Sequence, residues 1–154
     1  MWRGATDAQD MGLTNVAFIR SKIDKLLYFY APNEIDEIWL TFSDPQPKKE
    51  RRRLSSPRFL KLYQKALKPD AIIHMKTDSR ELFDYTLEVI EYFDLPLHYK
   101  TFDLYKSDYN GDAPQIQTYY EKIYLAEGKP INYAQFSLNE TIKNSELNKL
   151  PEED

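Results

Sequence analysis

Cysteine is absent from the chain. That excludes disulfide scaffolds, thiolate zinc sites and thiol nucleophiles, and it fits a reducing cytoplasm. Histidine is scarce. His74 lies inside an apolar run and His98 near a strand start, and neither has a metal-ligand partner at useful spacing. Both read as structural, and no metal is expected. No apolar run approaches the roughly 20 residues that span a bilayer. The opening MWRGATDAQD lacks a basic-then-apolar signal pattern. Glycine is limited to Gly4, Gly12, Gly111 and Gly128, with no Gly-x-Gly. Positive charge is not in excess either: the formal net charge is -4. Any nucleic-acid binding must therefore be local, through a patch.

What is present suits one domain. The 154 residues are 42% hydrophobic and 14% aromatic, enough for a core. Residues 1–140 read as that domain and 141–154 as a polar tail, frayed from Glu146 onward. No internal repeat or low-complexity tract stands out.

Short apolar runs alternate with amphipathic segments. Residues 15–20 (NVAFIR) predict a strand, and Ile23 to Tyr30 a short helix closed by Pro32-Asn33. Residues 37–42 (EIWLTF) predict the next strand. Ser56-Pro57 opens a helix with serine as N-cap and proline at the first helical position. Lys68-Pro69-Asp70 is expected to stop it. Ala71 to Lys76 (AIIHMK) is an apolar strand ending in Thr77-Asp78, and Asp78-Ser79-Arg80-Glu81 has the form of a capping box. Leu95 to Tyr105 predicts a strand, Thr118 to Ala126 a short helix closed by Gly128, and Ile131 to Leu138 a final strand. The alternation implies an α/β domain with a parallel sheet covered on both faces. In such sheets ligands sit beyond the carboxyl ends of the strands. Two strands end alike, in Phe42-Ser43-Asp44 and Lys76-Thr77-Asp78, so both carboxylates are expected on one rim.

Asp44 is followed by Pro45-Gln46-Pro47, and five of the next six residues are basic. A carboxylate before proline is a common turn residue. A charge run is commonly a solvated loop. Beside a rim carboxylate in a net-acidic chain, Lys48, Lys49, Arg51, Arg52 and Arg53 read instead as contacts to an RNA backbone, giving affinity and register. Asp78 can cap the helix that follows it. Thr118-Tyr119-Tyr120-Glu121 fits a bare capping box, and Tyr120 is suited to stacking on a base.

The stretch FSDPQPKKERRRL, residues 42–54, resembles the central motif of the tRNA (guanine-N7-)-methyltransferases, in which aromatic-x-Asp-Pro-x-x-Lys precedes a basic run and Arg-Leu. The likeness continues at Lys76-Thr77-Asp78 and at Thr118-Tyr119-Tyr120-Glu121, in family order, and covers about Gly12 to Leu138. It implies a Rossmann-like class I methyltransferase fold. It also implies S-adenosylmethionine as methyl donor, tRNA as partner, and transfer to N7 of a variable-loop guanosine. Asp44 falls on the family's catalytic carboxylate beside the cosubstrate. Lys48, Asp78, Thr118, Tyr119, Tyr120 and Glu121 fall on substrate-contacting positions. With no long apolar run, no membrane association is expected, and no protein partner is evident from the sequence.

The chain departs from that pattern in three places. Gln46 stands where many members carry tryptophan, and the basic run is about two residues shorter. The opening strand, glycine-rich turn, helix and acidic second strand have no counterpart. The chain reads as starting at the helix after that second strand. The alternative is thus a truncated, inactive RNA-binding or structural remnant. Two missing central strands also predict exposed strand edges and low stability.

Overall fold

Four of the five apolar runs that read as strands join one sheet. The structure, a computed structural model, describes residues 2–151. In chain order it comprises α1 (Trp2–Asp10), a 3-10 turn (Ile23–Tyr28), β1 (Ile35–Thr41), a second 3-10 turn (Glu50–Arg52), α2 (Pro57–Gln64) and β2 (Leu67–Thr77). There follow α3 (Arg80–Tyr92), β3 (Leu97–Thr101), a third 3-10 turn (Leu104–Lys106), α4 (Tyr119–Ala126), β4 (Asn132–Ser137) and α5 (Glu140–Asn144).

The sheet order is β1-β2-β4-β3. β1 and β2 are parallel, and β4 inserts antiparallel to both β2 and β3. The expectation of an all-parallel sheet is therefore corrected: the last strand doubles back between β2 and β3. Its alternation marks a strand but carries no direction, so sequence could not tell the two apart.

Strand parity divides the side chains. Leu40, Ile73, Met75, Ala134 and Phe136 face the helices, where they meet Phe59, Leu60 and Tyr63 of α2, Val89 and Ile90 of α3, and Ile142 of α5. The opposite face carries Glu37, Trp39, His74, Lys76, Tyr133 and Gln135. The segment running from Leu104 through Ala113 to Ile131 packs on Tyr133. Among the described residues, α2, α3 and α5 cover one face. The other is covered by the chain around Leu104 and Ala113 and by α4, through Glu121, Tyr124 and Leu125, while Trp39 stays 38% exposed.

The expected strand at 15–20 does not form. Val16, Phe18 and Ile19 are 44%, 44% and 49% exposed. A strand needs a neighbour to satisfy its N–H and C=O groups, and no described strand offers one. Two further boundaries move. β2 begins at Leu67, so Lys68-Pro69-Asp70 lies inside a strand. The register slips there between the Ile35–Leu67 and Glu37–Ile72 pairs, forming a bulge that absorbs a proline without an N–H. β3 ends at Thr101, because Leu104 turns inward as buried core. Within the expected polar tail α5 forms, and Leu147 and Leu150 pack on the core; residues 152–154 lie outside the described residues.

Candidate functional site at the sheet rim

The rim is built from the register of β1 and β2. Thr41 pairs with Lys76, and Phe42 N donates to Lys76 O at 2.8 Å. Asp44 and Asp78 therefore leave neighbouring parallel strands at the same end. β4 runs the other way, so its first residue joins that rim. Buried Asn132 pairs with Thr77 and donates from Nδ2 to Thr77 O at 3.0 Å.

The Asp44 loop is held in an uncommon conformation. Phe42 has φ 50° and Gln46 φ 45°, both left-handed without being glycine. Such a backbone costs of order 1–3 kcal/mol per residue and persists only where its surroundings hold it. Three contacts do so here. Phe42 N is tied to Lys76, and Asp44 Oδ1 accepts from Gln46 N at 2.9 Å. Arg53 Nε donates to Pro45 O at 2.9 Å. Asp44 is thus both a turn residue and an exposed carboxylate. Its Oδ2 takes no hydrogen bond from the described residues.

Asp78 is half-buried and does not cap α3. Ser79 caps it, with Oγ accepting from Leu82 N at 3.2 Å, while Thr77 Oγ1 accepts from Ser79 N. Asp78 is left free of that task and close enough to Lys129 to help raise its ammonium pKa, after the larger effect of the Glu127 carboxylate. Lys129 lies 4.8 Å from the Tyr124 ring, which packs at 5.7 Å against Phe42. These contacts bring α4 and its following turn to the Asp44 loop.

Thr118 and Glu121 form a complete capping box: Thr118 Oγ1 accepts from Glu121 N, and Glu121 Oε2 accepts from Thr118 N, each at 3.2 Å. Tyr119 and Tyr120 are 75% and 60% exposed, their rings edge-to-face at 5.7 Å. Glu121 is fully buried. Its carboxylate meets Lys76 Nζ at 2.6 Å and accepts from the Tyr105 hydroxyl at 2.7 Å. Burial, reinforced by that carboxylate, holds the Tyr105 hydroxyl well above the usual tyrosine range. Glu121 therefore organises the segment from within, whereas Tyr119 and Tyr120 face outward.

The basic run divides. Lys48, Lys49, Arg51 and Arg52 are exposed and, with Lys149, line a concavity of about 530 Å³. Arg53 is buried at 3%. Besides Pro45 O, its guanidinium pairs with Glu81 and lies 4.5 Å over the Tyr85 ring. The sequence reading put Arg53 on a phosphate. In the fold it points inward because Ser55, Ser56 and Pro57 are already buried and draw the chain into the core. A second concavity, about 490 Å³ beside Asn33, Pro69, Pro96 and Asn139, lies at the opposite end of the strands and gathers no comparable chemistry.

Both histidines are structural by contact. His74 stacks on Trp39 at 3.8 Å and shares a hydrogen bond with the Tyr133 hydroxyl at 2.9 Å. Its Nε2 is 3.3 Å from Glu37 Oε2 but outside hydrogen-bond geometry. Burial pulls its pKa below 6.5, with Glu37 opposing. His98 Nε2 is 2.8 Å from Ser137 Oγ. Lys76, Asn132 and Lys129 were missed by sequence reasoning. For Lys76 a signal existed: a cation inside an apolar strand demands a buried partner.

This rim carries an exposed, loop-borne carboxylate at the end of a parallel strand pair. Comparison with known proteins identifies the family. The family model described as a putative methyltransferase matches residues 4–134, and the chain belongs to that family. Its sheet is a mixed four-stranded one, with β1 and β2 parallel and β4 antiparallel to its neighbours. A tRNA (guanine-N(7)-)-methyltransferase of Bacteroides thetaiotaomicron is 50% identical over 138 residues, covering 90% of this chain and 55% of that protein. Proteins of the same name from Bacteroides fragilis and Mycoplasmopsis pulmonis are 48% and 40% identical, with 55% and 65% of their lengths covered. The chain thus spans little more than half the length of the first two relatives. A solved S-adenosylmethionine-dependent methyltransferase from Archaeoglobus fulgidus aligns with TM-score 0.42 and 11% identity, over 84% of this chain and 71% of that one. No described helix is long and apolar enough to cross a membrane.

Proposed function

We propose that the rim is the guanine-presenting part of a methyltransferase acting on N7 of a guanosine in tRNA, with S-adenosylmethionine as methyl donor. The observation that carries this reading is the exposed Asp44 carboxylate on a left-handed loop, at the same strand ends as the uncommitted Asp78. The names of the relatives, at 40–50% identity, support the substrate.

The donor supplies an electrophilic methyl group when bound. The residues present fit its cationic end: Asp44 offers an exposed carboxylate with one oxygen uncommitted. No glycine-rich turn is available for the rest, so contacts to the donor's ribose and adenine are not assigned. Guanine N7 carries an in-plane lone pair and no proton, so no strong general base is required and catalysis is by positioning. As the methyl transfers, positive charge gathers on the guanine. Asp44 stabilises it and accepts hydrogen bonds from the N1–H and N2–H edge. Lys48 lies nearest in sequence to the target. Lys49, Arg51 and Arg52 neutralise phosphates. Tyr120 stacks on a base, while Asp78, Thr118 and Tyr119 complete the contact surface. Glu121 supports them from below. The catalytic unit extends beyond residue 140, since Ile142 of α5 belongs to its core, and works in the cytoplasm.

A second reading is tRNA binding without transfer. The outer edge of β1 favours it: β1 pairs only with β2, and Trp39 stays exposed beside it. A calorimetric titration with S-adenosylmethionine separates the two. Saturable binding that weakens in Asp44→Asn supports transfer. A folded chain that binds tRNA but not the donor supports the second reading.

A further inference from the structure

We infer that Lys76 is a positioning residue that locks the tRNA-facing segment 113–121 onto the catalytic rim. Lys76 is the penultimate residue of β2, on the sheet face turned away from α2 and α3, and only 2% of it is exposed. Its Nζ donates to Ala113 O at 2.6 Å, to Ile116 O at 3.1 Å and to the Glu121 carboxylate at 2.8 Å. All three donors of the ammonium are thus spent on one excursion of chain. Its own backbone O accepts from Phe42 N, two residues before Asp44. One residue therefore grips the Asp44 loop through its main chain and the Thr118–Tyr120 segment through its side chain.

Besides the packing of Ala113 against Leu104 and Tyr133 and a side-chain contact of Gln117 with Tyr105, Lys76 supplies the long-range hold on the 111–118 loop among the described residues. Ala113 is fully buried, but Gln115, Ile116 and Gln117 are exposed, and the loop's own bonds are the short-range Gln115 N and Ile116 N to Asp112 O. Loops of this kind open locally unless tied down. A cation buried with an anion is weak evidence for stability, because desolvation offsets attraction. The arrangement is better explained by geometry: three acceptors at fixed positions set where Tyr119 and Tyr120 stand relative to Asp44.

The inference rests on the reading of Thr118–Tyr120 as a tRNA contact, and its test keeps the two apart. Lys76→Met alone strands Glu121 as a buried, uncompensated charge, which destabilises the whole fold. The informative protein is the Lys76→Met/Glu121→Gln double variant of the full chain. It removes both charges and retains an acceptor for Tyr105 and Thr118. Hydrogen exchange is followed at the amides of Gln115, Ile116 and Glu121, with Val89 and Ile90 of α3 as a global reference. We expect Gln115 and Ile116 to exchange at least about tenfold faster, with α3 unchanged. The same variant is expected to bind tRNA at least about tenfold more weakly. Unchanged exchange at Gln115 and Ile116, or an equal rise in α3, overturns the inference. So does selective loosening with undiminished tRNA affinity. If the wild-type chain binds no tRNA, the proposed function fails on that ground, and the lock is decided by exchange alone.

Discussion

Replacing Arg53 with methionine separates a phosphate-binding arginine from one that props the catalytic loop. Three contacts carry the loss; a fourth, to Glu50 at 3.9 Å, is too long and too exposed to add to it. The hydrogen bond from Nε to Pro45 O is charge-assisted and partly buried, worth about 1.5–3 kcal/mol. The stacking over Tyr85 at 4.5 Å adds roughly 0.5–1 kcal/mol. The pair with Glu81 is discounted, because Glu81 is 56% exposed, and contributes about 0–1 kcal/mol. The loss is thus roughly 2–5 kcal/mol, or about 4–20 °C in Tm for a domain of this size. Urea and thermal melts followed by circular dichroism measure it. The second half of the assay is the salt dependence of tRNA binding. A residue on a phosphate lowers the slope by about one when removed. Arg51→Ala and Arg52→Ala are expected to do so with stability within about 0.5 kcal/mol of wild type. Arg53→Met is expected to leave the slope unchanged. A stable Arg53→Met chain with a slope lowered by one would refute the placement of Arg53 in the fold.

Three shorter predictions follow from the same contacts. Ser79→Ala should cost about 1 kcal/mol by loss of the α3 cap, whereas Asp78→Ala should leave the melt unchanged and weaken tRNA binding, as paired melts and filter binding would show. Tyr120→Ala should reduce tRNA affinity by about 1–3 kcal/mol if a base stacks there, read by fluorescence anisotropy at fixed salt. His74 makes stability depend on pH. Its folded pKa is depressed by burial, so the unfolded chain binds more protons below the unfolded value of 6.5. Stability is therefore full above that value and falls as pH drops from it toward the folded pKa, by up to about 1.4 kcal/mol per pH unit. Melts between pH 7.5 and 5.5 should show a steeper decline in wild type than in His74→Gln.

The parallel pair and its two terminal carboxylates were legible because each strand is short, apolar and bounded by a helix start. Strand direction was not. β4 alternates in sequence although it is buried on both faces, and only the fold shows that it returns between β2 and β3, bringing Asn132 to the rim. Residues 15–20 have strand composition, yet composition cannot supply a neighbour, and the segment stays exposed. The roles of the charged residues were the least legible. Arg51, Arg52 and Arg53 are identical in sequence, and burial alone separates the third from the others. Glu121 reads as a surface capping residue, but it is the floor of the segment, because Lys76, 45 residues earlier, reaches it across the sheet. Such pairings carry no local signal.

The proposal that this rim presents guanine N7 for methylation, with Asp44 at its centre, is open to direct assay: the chain is incubated with labelled S-adenosylmethionine and tRNA, and the nucleosides are analysed for 7-methylguanosine. Label is expected in 7-methylguanosine with the wild-type chain, with a loss of at least about a hundredfold in Asp44→Asn. No 7-methylguanosine from a folded wild-type chain, or equal amounts from Asp44→Asn, would contradict it.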